Sequence, residues 1–72
     1  MDEKKIIKLV SKAIRKKVNS NSSSENTKEW DSLGHLSILS SLDLLTKGKS
    51  SKINLTNANS IKKLNQKLKK IN

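Results

Sequence analysis

Few side chains in this chain are equipped for chemistry, and they cluster in one segment, Trp30-Asp31-Ser32-Leu33-Gly34-His35-Leu36. Ser32 brings a hydroxyl and Asp31 a carboxylate directly before a leucine-rich run. Asp or Ser in that place signals a helix start. A helix N-terminus has unpaired backbone N–H groups and a partial positive charge, so a serine there stands in a field that favours an anion. The plain reading of Ser32 is an ordinary capping residue. His35 follows one turn later. A lone histidine has no evident base or nucleophile network, and packing or solvation is its expected role. The chain has no cysteine, which excludes disulfides and thiolate metal sites. One histidine cannot build a zinc site unaided. No paired acid/base set, nucleophilic triad or phosphate loop is present, so the chain is not expected to be an enzyme.

The elements that must position this segment are legible as apolar stripes. Ile6, Leu9, Val10, Ala13 and Ile14 recur at the spacing of one helical face, predicting a first helix over about 4–18. Asp2 and Glu3 suit its start, and Lys16 and Lys17 its end. Residues 19–30 form a long polar loop. No residue from Asn19 to Thr27 looks able to anchor a core, and small polar side chains favour turns. A second helix over about 32–47 carries Leu36, Ile38, Leu39, Leu42 and Leu45 across a wide apolar arc, which suits a central helix with more than one neighbour. Gly48 supplies its stop. Lys49 to Asn54 reads as a second loop. A short helix is expected at about 55–58, with Ile53 and Leu55 pointing inward. A last helix over about 60–71 is capped by Asn59 or Ser60 and striped by Ile61, Leu64, Leu68 and Ile71. The fold class is therefore all-α, a small bundle of three main helices plus one short helix, with residues 1–72 as a single domain.

Composition narrows the setting. A chain of 72 residues has room for one domain with a limited core. Phe, Tyr and Pro are absent, so Leu and Ile must supply the core with Trp30 as the only aromatic. No stretch approaches a bilayer span or a signal peptide, so a soluble cytoplasmic protein is expected, and a monomer is its expected state. The formal net charge is +10, unevenly placed. Residues 1–18 carry seven basic and two acidic groups, and residues 47–72 carry eight lysines and no acid. Between them stand Lys28, Glu25, Glu29, Asp31 and Asp43, so the middle of a basic chain is mildly acidic.

The segment around Ser32 resembles the Asp-Ser-Leu motif of acyl and peptidyl carrier proteins. Related stand-alone carriers often have Trp before that motif and a similar Gly-His-Leu after it. The order of elements resembles theirs along nearly the whole chain: a first helix, a long polar loop, the motif at the head of a leucine-rich helix, a short apolar turn and an amphipathic last helix. Ala58-Asn59-Ser60-Ile61 falls where the junction before their last helix is found. The resemblance implies an acyl-carrier-like bundle with a 4'-phosphopantetheine arm, derived from coenzyme A, on Ser32. Asp31 and Leu33 are the flanking motif, and Asp31 would help to hold a metal ion in the modifying enzyme's grip. Leu36 and Asp43 on the second helix are the implied partner-binding residues. The implied partners are a phosphopantetheinyl transferase, an acyl- or aminoacyl-loading ligase and downstream transferases. A phosphodiester on Ser32 would also sit well at a helix N-terminus.

The chain departs from that family's usual pattern. Bacterial carriers are mostly acidic and show carboxylates on the second helix, whereas this one has Ser37, Ser40 and Ser41 there, with Asp43 the only acid. A specialised biosynthetic pathway fits this surface better than bulk fatty-acid synthesis. Trp30 is expected to cover the core beside the helix start, in the manner of a hydrophobic staple. The lysines at 62, 63, 67, 69 and 70 read first as a solvated face. The strongest alternative is a small basic helical nucleic-acid-binding module, supported by a pI near 10.2. Against it, Arg15 is the only arginine, no aromatic platform is present and nucleic acid is not the expected partner. A further alternative lays the first or last helix on anionic lipid.

Overall fold

The computed structural model describes residues 1–69 and 71. They fold into three α-helices, α1 (Glu3–Ile14), α2 (Ser32–Leu45) and α3 (Ile61–Leu68), with a 3-10 turn at Lys49–Lys52. The all-α class is as expected, and the boundaries differ in instructive ways. Lys70, the last of the clustered lysines, and Asn72 lie outside the described residues.

Helix α1 starts where Asp2 accepts a hydrogen bond from Lys5 N at 2.8 Å. It stops at Ile14, four residues before the expected end, because Arg15 turns left-handed at φ 56°. Ser11 then receives the leaving chain. Its carbonyl accepts from Lys16 N at 3.1 Å and its hydroxyl from Val18 N at 3.2 Å. Val18 reaches the core from this loop and not from a fourth helical turn.

Helix α2 ends at Leu45 in a paired terminal closure. Gly48 N donates to Asp43 O at 2.9 Å and Lys47 N to Leu44 O at 3.4 Å, the pattern of a Schellman motif. Lys47 and Gly48 are both left-handed, at φ 54° and 85°. Buried Thr46 ties the next segment down. Its hydroxyl donates to Leu42 O at 2.7 Å and accepts from Ser50 N at 3.0 Å. The short helical element therefore lies at Lys49–Lys52, inside the expected loop. The expected short helix at 55–58 is a single turn closed by Ala58 N to Leu55 O at 3.1 Å. That turn places Leu55 and Ala58 in the core.

Helix α3 is capped by Ser60, whose hydroxyl accepts from Lys63 N at 3.1 Å, and its last helical residue is Leu68. Ile71 still reaches the core beyond it. The core joins Ile6, Val10 and Ile14 of α1, Ile38 and Leu42 of α2, and Ile61, Leu64 and Leu68 of α3 with Trp30. Two residues assigned to the apolar arc of α2 turn outward: Leu36 is 59% exposed and Leu45 54%. Only a narrow strip of that helix meets neighbours, because α1 and the 3-10 turn cover one side.

The polar loop is anchored, contrary to expectation. Ser22 and Thr27 are buried. Ser22 O accepts from Ile61 N at 3.0 Å and Asn59 O from Ser24 N at 2.9 Å, and Ser23 and Ser60 form an isolated antiparallel bridge. Asn19 and Asn26 fold the loop on itself, accepting from Asn21 N at 2.8 Å and Ser23 N at 2.9 Å. No buried side-chain polar atom is left unpaired among the described residues.

Candidate functional site

The site is the head of α2. Asp31 is its N-cap, and its carboxylate accepts from Gly34 N at 2.8 Å. Asp31 O accepts from His35 N at 2.8 Å, the first helical bond. Ser32 is thus the first residue inside the helix, with Asp31 in the capping role that the plain reading gave to the serine. Ser32 is exposed, and its hydroxyl is not needed for the cap. The backbone N–H groups of Ser32 and Leu33 sit in the first turn, where a helix provides no partner for them.

Two packing devices hold this head in place. Gly34 is buried where the loop crosses the helix. A Cβ at Gly34 would lie 2.3 Å from Glu29 O and 3.1 Å from a methyl of Ile14. Only glycine lets the loop backbone come so close to the helix. The second device is a relay of hydrogen bonds. Trp30 is buried at 1% exposure, and its indole N–H donates to Nδ1 of His35 at 3.1 Å. His35 Nε2 meets Leu55 O at 3.0 Å. An indole nitrogen can only donate, so Nδ1 accepts and Nε2 carries the hydrogen toward Leu55 O. The two rings lie 6.4 Å apart and inclined by 19°. Both nitrogens of His35 are engaged, so it acts as a structural link between the loop, α2 and the turn at 55–58. Trp30 covers the core beside the helix start, as its place in the sequence predicts.

The expected site residues separate into two groups. Asp31, Ser32 and Leu33 stand together at the head of α2, and Leu36 follows one turn on. Asp43 lies eleven residues beyond Ser32, roughly 16 Å along the helix axis. Leu33, Leu36, Ser37, Ser40, Asp43 and Leu44 are all exposed at spacings that place them on one side of the helix. Leu33 is 74% exposed and Leu44 82%. That side is apolar and hydroxylic, with a single carboxylate. Sequence reasoning gave no role to Gly34 or Thr46 and put Leu45 in the core. Thr46 bonds Leu42 and Ser50, four residues to either side, and the close approach of Glu29 to Gly34 is set by the path of the loop over the helix start, which residue spacing does not signal.

Among the described residues, no group of three or more His, Cys, Asp or Glu side chains gathers to hold a metal ion. Among them, no helix is long and apolar enough to cross a membrane. Comparison with known proteins finds no family model, no curated protein and no solved structure that matches the chain.

Proposed function

We propose that this chain is an acyl-carrier-type protein and not an enzyme, with Ser32 esterified by 4'-phosphopantetheine from coenzyme A. The observation that carries the reading is the division of labour at the head of α2: Asp31 caps the helix, and the neighbouring Ser32 is exposed and takes no part in the cap. The residues suit the group. Ser32 supplies an accessible nucleophilic oxygen, and the first-turn N–H groups and helix dipole favour the negative charge of a phosphodiester. When bound, the arm supplies a thiol that carries an acyl or aminoacyl group as a thioester. The chain's own part is address and delivery. The rigid helix head fixes where the tether begins, and tethering raises the effective concentration of cargo at a docked enzyme.

Leu33 and Leu36 flank Ser32 as exposed apolar contacts for partners, and Asp43 marks the far end of the same side. Those partners are a phosphopantetheinyl transferase, a loading ligase and downstream transferases. A docking side with one acid suits enzymes of a specialised biosynthetic pathway. The test is incubation with coenzyme A and a broad-specificity phosphopantetheinyl transferase, read by intact-protein mass spectrometry. Wild type is expected to gain one phosphopantetheine and Ser32→Ala none. Equal gain by both proteins would remove Ser32 from the account.

A further inference from the structure

We infer that the face formed by α1 and the C-terminal end of α2 docks on an anionic lipid bilayer. An open groove of about 920 Å³ lies there. Five lysines line it: Lys5, Lys8 and Lys12 from α1, with Lys47 and Lys49 from the segment after α2. No acidic side chain lines it among the described residues. The Schellman closure turns the chain so that Lys47 and Lys49 follow directly on the end of α2.

Two leucines stand among these charges. Leu44 is 82% exposed and Leu45 54%, at the end of the helix. They line the groove with Leu9 and are exposed enough to enter the headgroup region, while the lysine stems lie along it and place their ammonium groups on phosphates. Each lysine offers a compact point charge on a flexible four-carbon stem. Flexible point charges around exposed leucines match a fluid anionic surface better than an acidic helix of fixed shape. The face is also separate from the head of α2. Leu44 lies roughly 18 Å along the helix from Ser32, so docking leaves that hydroxyl free. The inference stands independently of the carrier reading.

The experiment is co-sedimentation of the full chain with phosphatidylcholine vesicles, with and without phosphatidylglycerol. Binding is expected only when phosphatidylglycerol is present. A Lys8→Gln/Lys12→Gln/Lys47→Gln variant should bind about 100-fold more weakly, at about fivefold for each lysine. A Lys62→Gln/Lys63→Gln/Lys67→Gln variant has the same net charge and should stay within a few-fold of wild type. Leu44→Ser/Leu45→Ser should lose about tenfold through the missing apolar contact. Circular dichroism checks that each variant keeps its helices. Equal losses in the two lysine variants would overturn the proposal by reducing it to net charge. Retention of full binding by the leucine variant, or preference for an acidic amphipathic peptide over the vesicles, would overturn it too.

Discussion

The indole N–H of Trp30 donates to His35 Nδ1 at 3.1 Å, and the other nitrogen of that ring meets Leu55 O at 3.0 Å. This chain of contacts joins three parts of the fold at the base of the Ser32 head. A double-mutant cycle with Trp30→Phe and His35→Ala isolates it from the cavity that each substitution also makes. The expected coupling is about 1 kcal/mol in urea unfolding. Additivity to within about 0.3 kcal/mol would show that the bond contributes nothing.

Gly34→Ala tests the close crossing of loop and helix. Alanine normally favours a helix over glycine by about 1 kcal/mol. Here its Cβ would meet Glu29 O at 2.3 Å. The expected result is net destabilisation of about 1–3 kcal/mol in denaturant unfolding, with the loop displaced. A stabilised variant would mean that the loop yields freely.

Asp31→Ala and Ser32→Ala separate the cap from the candidate modification site. The Asp31 carboxylate holds Gly34 N, so its loss should cost about 1 kcal/mol. Ser32 is exposed and outside the cap, so its loss should change stability by less than about 0.5 kcal/mol. Thermal or urea unfolding of the two variants side by side checks the order. The opposite order would return Ser32 to an ordinary structural role.

Arg15→Gly should stabilise the protein. Arg15 is a non-glycine residue held at φ 56° where α1 ends. Relief of that conformation favours glycine, and the expected gain is about 0.5–1 kcal/mol. A loss of stability would mean that the Arg15 side chain makes contacts worth more than the backbone relief.

The apolar stripes of α1 and α3 were legible because each buries one face, and Ile6, Val10, Ile14, Ile61, Leu64 and Leu68 all lie where their spacing placed them. The start of α2 was legible because a cap is a local signal. Its outward leucines were not. Leu36 and Leu45 fit an apolar arc as well as Ile38 and Leu42 do, and only the positions of the neighbouring elements decide which are covered. Val18 had the right spacing for a further turn of α1, but Arg15 and the Ser11 hydroxyl redirect the chain. The anchoring of the serine- and asparagine-rich loop rests on backbone bonds to Asn59 and Ile61, which composition does not disclose. At the candidate site, Asp31, Ser32 and Leu33 were visible as a motif. The supports beneath them, Gly34 against Glu29 and His35 against Leu55, join segments distant in sequence or fixed only by the loop's path.

The most direct measurement is the intact mass of this protein recovered from the cells that make it, with fragmentation to locate any added group. The expected result is one phosphopantetheine per chain, mapped to Ser32 and absent from Ser32→Ala expressed in the same cells. A chain whose mass stays that of the bare polypeptide, or one modified on another residue, would contradict it.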